Sequence, residues 1–214
     1  MDQSERAQVR DVNITRQRIL KAARREFAEY GLHGARVDRI AEKSHANKSM
    51  IYYIFGGKED LYLAALESLF EEKTELVDPQ LMTATLSAAG VGGLIDAFID
   101  VLARNEDAAR MLIYDLATGA QTLRRLREKR PDLFQTFERL SDAVNGLMRA
   151  GMLPPLDADK SIIFPAMVAL LLPVARSCMD LWRSPGTAEY QSLTSLDSWK
   201  TYVHDVLTQI MRPA

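Results

Sequence analysis

Cysteine is nearly absent. Cys178 is the single one among 214 residues, which excludes an internal disulfide or a site built from several thiolates. Long hydrophobic runs are missing too. The longest, 162–175, has 14 residues, carries Pro165 and Pro173 and ends at Arg176, whereas a membrane-crossing helix needs about 20. Met1 to Arg10 are polar and charged with no apolar stretch behind them, so no cleavable export signal is expected and the cytoplasm is the expected location. No Gly-x-Ser-x-Gly elbow, phosphate-binding Gly-x-x-x-x-Gly-Lys or dinucleotide fingerprint occurs, so neither an enzyme nor a cofactor is expected. His33, His45 and His204 share no ligand spacing, and no metal site is expected.

Hydrophobic residues make up 47% and charged residues 26% of the chain, which is ordinary for a globular protein of one to two domains. The net charge is −2 but is unevenly spread. Residues 6–58 hold 12 Lys and Arg against 5 Asp and Glu. A basic N-terminal quarter on an acidic remainder is the pattern of a nucleic-acid module joined to a different body.

Helical periodicity runs throughout, and no stretch alternates apolar and polar residues as a half-buried strand does. An all-α fold is expected. Residues 1–13 read as a loose arm, with Thr15 capping a first helix whose stripe Leu20, Ala23, Phe27 and Tyr30 stops at Gly31. A second short helix centres on Val37, Ile40 and Ala41 and a third on Ile51 and Phe55, with only Ser44 to Asn47 between them. Gly56 and Gly57 break the pattern, and Lys58 opens a longer helix that runs through Leu61, Ala65, Leu69 and Leu76 to Asp78 and Pro79. Further helices are expected around Leu94, Phe98 and Val101, from Asn105 to Thr118 with Gly119 as stop, and along Leu133, Phe137, Leu140, Val144 and Leu147 up to Gly151. The division into domains is expected after residue 60.

A helix, a turn of about four residues and a second short helix, packed on a preceding helix, can project a recognition helix into the major groove. At about 100° per residue, Ile51 and Phe55 share one side of the third helix, while Ser49 and Tyr53 lie near the opposite side, flanked by Met50 and Tyr52. Asn47 is placed to cap that helix and leaves its positive end facing outward beside Lys48, where a phosphate would be favoured. Pattern alone leaves the plainer alternative open, two short core helices with exposed tyrosines.

The residues narrow the choice. Tyr30-Gly31, Val37 with Ile40-Ala41, Asn47-Lys48, Ile51-Tyr52-Tyr53 with Phe55, and Lys58-Glu59-Asp60-Leu61 together resemble the DNA-binding signature of the tetracycline-repressor (TetR) family of bacterial regulators. The resemblance begins near Thr15 and covers about 50 residues. It implies a three-helix DNA-binding head over 1–60, and a linking helix leading to a helical ligand-binding and dimerisation body over 61–214. It also implies a homodimer on a pseudo-palindromic operator, acting as a repressor released by a small molecule. By the resemblance, Lys48, Tyr52 and Lys58 meet phosphate, and Ser49, Met50 and Tyr53 meet base edges. Three positions depart from the pattern: Arg36 stands where a capping Ser or Thr is usual, His45 where the turn has Gly, and Met50 where a small polar residue is frequent. Arg36 is therefore a candidate for a phosphate or base contact, and His45 for a positive φ.

An apolar effector pocket is implied among the middle helices, where Phe98, Met111, Tyr114, Phe134, Phe137, Met148, Met167 and Trp182 lie on inward stripes and Arg110, Tyr114 or Asp115 could orient a polar end. The segment 162–182 is apolar almost all round and the last helix carries the stripe Trp199, Tyr202, Val206 and Ile210. With Leu170, Val174 and Cys178 on the former, this pair is the expected dimer interface. Arg124, Arg125, Arg127, Lys129 and Arg130 are expected to form a solvated helix face, and Asp96 and Asp100 to face water. The alternative function is a helical ligand-carrying or protein-interaction module without specific DNA binding.

Overall fold

The computed structural model describes residues 3–74 and 105–151, together with positions 93, 96, 100, 197, 200 and 201. The side chains of 3–9, 72–74, 136, 137, 140 and 147 are outside that description. Every regular element among the described residues is helical: α1 (Gln3–Gly34), α2 (Val37–Ser44), α3 (Lys48–Phe55), α4 (Lys58–Thr74), α5 (Glu106–Ala117), α6 (Gln121–Lys129), a 3-10 turn (Pro131–Phe134) and α7 (Gln135–Arg149). Two compact units form, one from Met1–Glu75 with Asn105–Phe134, the other from Leu76–Arg104 with Gln135–Ala214. Packing thus groups the chain differently from a division after residue 60, because α4, α5 and α6 share one core with the first three helices.

The start of α1 corrects one expectation. Residues 3–13 are helix rather than a loose arm, and Thr15 sits inside α1, where its hydroxyl accepts from Arg18 Nη2 at 3.3 Å. Gln, Glu, Arg and Ala in this stretch sustain a helix by intrinsic propensity, while its polar, aperiodic sequence gives a periodicity reading nothing to follow. Further along, Leu20, Ala23 and Phe27 are buried as expected, joined by Ile19. Tyr30 leaves the stripe and is 40% exposed, its ring lying under the Arg39 guanidinium at 4.1 Å.

The first unit is organised around α1 and α4. Ile19, Leu20 and Phe27 of α1 meet Leu61, Tyr62, Leu66 and Leu69 of α4, Ile40 of α2 and Ile51 of α3 in one apolar core, which Met111, Leu126 and Leu133 extend. Each such side chain, when fully buried, contributes about 1.5–3 kcal/mol. Phe27 and Tyr62 pack edge to face with centroids 4.9 Å apart, and the Tyr62 hydroxyl donates to the Met111 carbonyl at 3.1 Å, tying α4 to α5. Burial, with the Asp115 charge adding to it, pushes the Tyr62 phenol well above its ordinary range.

The basic cluster of α6 is exposed as expected, except for the half-buried Arg130, but several of its charges are paired. Lys129 donates to Glu67 at 3.0 Å, Arg125 reaches Asp60 at 3.4 Å, and Arg130, just after α6, pairs with Glu67, Glu71 and Asp132. α6 starts on Ala120, a left-handed residue at φ 57° whose methyl side chain cannot cap. The buried Asp115 of α5 takes that role, accepting from Thr122 N–H at 3.3 Å and Leu123 N–H at 2.9 Å. Asp115 is therefore committed to a cap rather than to a ligand. In the second unit, α7 buries Val144 and is followed by Gly151 at φ 71°. Asp100 does not simply face water there; it pairs with Lys200 at 2.8 Å.

Candidate nucleic-acid interface

A glycine sets the path from α1 into the helix-turn-helix. Gly31 adopts φ 64°, ψ 180°, a region essentially confined to glycine, and breaks α1 where the sequence places its stop. The Tyr114 ring covers it, so closely that a Cβ at position 31 would come within 3.3 Å of the ring. The chain then turns through Ala35 into α2.

α2 begins at Arg36, which is extended and offers no side-chain cap. Its backbone N–H donates instead to Glu26 Oε1 of α1 at 3.1 Å. Glu26 is fully buried and also receives Arg39 Nε at 2.6 Å and Lys43 Nζ at 3.1 Å. Burial works to raise the Glu26 carboxyl, but these three donors outweigh it and hold the group below the usual carboxylate range. One acid on α1 thereby closes the N-terminus of α2 and neutralises two cations of the basic segment. This residue was missed in sequence; the available signal was an acid on the buried stripe of α1, seven residues beyond Ile19.

α2 ends at His45, which takes the left-handed conformation at φ 53°, ψ 36°, and the return bonds from His45 N–H to Glu42 and from Ala46 N–H to Ala41 close the turn. Asn47 then caps α3 by accepting from Met50 N–H at 2.7 Å. Ile51 anchors the inner side of α3, while Ile54 and Phe55 are half-buried, the latter with Arg16 over its ring at 5.7 Å. The opposite side is open: Tyr53 is 84% exposed, Tyr52 47%, Met50 38%, and Ser49 is exposed. Gly56, at φ 88°, terminates α3, and Asp60 accepts from Gly57 N–H at 3.2 Å to start α4.

The nominated cations sit around this surface in different states. Arg36 is exposed beside the entry to α2. Lys48 forms an ion pair with Asp38 of α2, and that carboxylate pushes the Lys48 ammonium above its ordinary range. Lys58 is half-buried and donates to the His33 carbonyl at 3.1 Å, using one of its three N–H groups. The eight nominated DNA-facing residues are Arg36 just before α2, Asn47 capping α3, five residues of α3 from Lys48 to Tyr53, and Lys58 opening α4, and none is fully buried.

The effector candidates are less concentrated. Met111 is fully buried in the core of the first unit, and Phe134 packs on Phe70 with centroids 5.2 Å apart. Tyr114 is half-open over Gly31, Arg110 is exposed and Met148 half-buried. An open cleft of about 400 Å³ beside His33 and Lys58 involves none of the nominated effector residues. Phe98, Met167 and Trp182, the Phe137 side chain, and the interface candidates Leu170, Val174, Cys178, Trp199, Tyr202, Val206 and Ile210 lie outside the described residues. No helix among the described residues is long and apolar enough to cross a membrane.

Residues 19–65, from the middle of α1 into α4, match the family model described as bacterial regulatory proteins, tetR family. The chain is 34% identical over 106 residues to the HTH-type transcriptional repressor SCO4008 of Streptomyces coelicolor, an alignment covering 50% of this chain and 52% of that one. It is 28% identical over 161 residues to the HTH-type transcriptional regulator RutR of Escherichia coli K12, covering 72% and 71%. The chain thus spans about half the length of SCO4008. Among solved structures, SCO4942 of Streptomyces coelicolor, assigned as a transcriptional regulator, is similar over 90% of this chain and 97% of its own, with 27% identity and a TM-score of 0.60. A capped short helix with an open outer side thus lies within a segment that carries the tetR-family signature, on a fold similar to that of SCO4942.

Proposed function

We propose that this protein is a sequence-specific transcriptional regulator that acts as a homodimer, represses from a pseudo-palindromic operator and is released by a small molecule. The observation that carries the reading is the two-sidedness of α3, with Ile51 sealed at 1% exposure and Tyr53 open at 84%. In this reading Ser49, Met50 and Tyr53 meet base edges in a groove about 12 Å wide, Lys48, Tyr52 and Lys58 hold phosphates, and Arg36 meets a phosphate or a base. SCO4008, to which the chain is similar, is a transcriptional repressor by name.

Two heads related by a two-fold axis must reach groove faces about 34 Å apart or a multiple of it, so head separation controls affinity. An effector that prefers the wrongly spaced state lowers operator affinity by that preference, and operator weakens effector binding in return. Shifting the dimer from 99% to 1% competent takes about 5.5 kcal/mol of preference. We assign the effector a largely apolar character, with Phe98, Phe137, Met148, Met167 and Trp182 as its candidate contacts and the segments carrying Leu170 and Tyr202 as the dimer contact.

Selection of bound duplexes from a random pool, followed by titration at several salt concentrations, tests the reading. The expected result is an enriched inverted repeat bound with a log–log salt slope near −0.9 per phosphate contact. Tyr53→Ala should relax sequence preference, and Lys48→Ala should weaken all sequences alike and flatten the slope. Failure to enrich any sequence, together with a flat slope, would leave the helical carrier or interaction module as the better description.

A further inference from the structure

We infer that Asp38 is an internal competitor of the DNA backbone: it holds Lys48 in the free protein and must surrender that lysine to a phosphate when the head docks. The inference rests on the proposed DNA-binding reading and extends it to a residue outside the nominated contacts. Three cations of the helix-turn-helix are held by acids of the chain, in two different ways. Arg39 and Lys43 converge on Glu26, whose side chain is fully buried and also carries the Arg36 backbone bond. The acid of that arrangement is sealed in the core, so withdrawing its cations would leave a buried carboxylate unpaired. Lys48 and Asp38 are 48% and 69% exposed, so both partners of their pair stand in solvent. An exposed pair of this kind is weak and exchanges readily.

Position makes the exchange matter. Lys48 opens α3 next to the capping Asn47 and beside Ser49, Met50 and Tyr52, all exposed on the surface offered to the duplex. A phosphate can take Lys48 only by breaking its pair with Asp38. Asp38 therefore subtracts from binding to every duplex and raises the quality of base contact that a site must supply.

The test uses the full-length chain, the best duplex recovered by selection and a scrambled duplex of the same composition. Asp38→Asn should bind both about two- to fivefold tighter per head, the range that loss of an exposed competing pair allows, and should steepen the salt slope by up to about 0.9 per head. In a Lys48→Gln background the same change should have no effect on affinity or slope. A gain that persists without Lys48 would mean simple through-space repulsion and overturn the inference. So would unchanged or weaker binding by Asp38→Asn, the latter marking a base contact of Asp38's own. If the unaltered chain enriches no sequence at all, the DNA-binding reading itself falls first, and the two failures are told apart.

Discussion

Arg130 holds Glu67 from 63 residues away in the chain, with Nη1 donating to Oε1 at 2.7 Å and, at 2.8 Å, to Glu71 one turn further along α4. Lys129 supplies a second donor to Glu67 at 3.0 Å. Glu67 is 13% exposed, so this clamp of α6 onto α4 is largely shielded at its acidic end. Burial works to raise the Glu67 carboxyl, and the two donors hold it below the usual range.

Glu67→Gln should therefore cost about 1 kcal/mol in urea unfolding after allowance for the open basic partners. The sign with pH follows from the lowered carboxyl. Its contribution is complete above the ordinary glutamate value of 4.5 and is lost as pH falls through the lower folded value. Equal stabilities of the two proteins at pH 7 would remove the clamp from the account.

Glu26→Gln is expected to be more damaging, about 2 kcal/mol, because a fully buried carboxylate loses its charge against three donors. Stability of the unaltered chain should likewise drop as pH falls below 4.5, and the variant should lack that part of the drop. Adding Arg36→Ser to the variant should recover about 1 kcal/mol by restoring a conventional cap to α2. No recovery would show that Glu26 serves only as a charge partner for Arg39 and Lys43. Urea titrations at pH 7 and pH 4 make the comparison.

Gly31→Ala should destabilise by about 2 kcal/mol, since φ 64° with ψ 180° admits almost no other residue and a methyl would sit 3.3 Å from the Tyr114 ring, which would have to shift slightly. Thermal melting reads this directly. A loss below about 0.5 kcal/mol would mean that the break in α1 relaxes freely.

Tyr62→Phe removes the bond to the Met111 carbonyl while keeping the packing on Phe27, and should cost about 1 kcal/mol. The raised phenol gives the opposite pH sign to the glutamates. Its stabilisation is whole below the ordinary value of 10.0 and is lost as pH rises above it, a decline the phenylalanine variant should not share. Stability curves that run parallel above pH 10 would contradict the assignment.

The helices of the head were legible because each carries its own local signal. Asn47 announces a cap, Gly31 and Gly56 announce breaks, and Ile51 and Phe55 share a side at helical spacing. His45 was legible as a left-handed position only through the resemblance, because it stands where the family's turn has Gly. Partnerships between distant residues were not. Periodicity places Glu26, Arg39 and Arg130 on helices but is silent on which charges meet, so the basic run of α6 read as a solvated face although several of its charges fasten it to α4. Residues 3–13 failed differently, because a helix whose sequence is polar and aperiodic leaves no periodic trace.

The delegation of the α2 cap to Glu26 has an evolutionary consequence. Where a serine or threonine closes its own helix, that position serves folding and cannot be exchanged cheaply. Here the closure comes from a neighbouring helix, and the outward side chain at position 36 is released from that duty. Under the proposed DNA-binding reading, sequence preference could then drift at this site without eroding the scaffold that displays it.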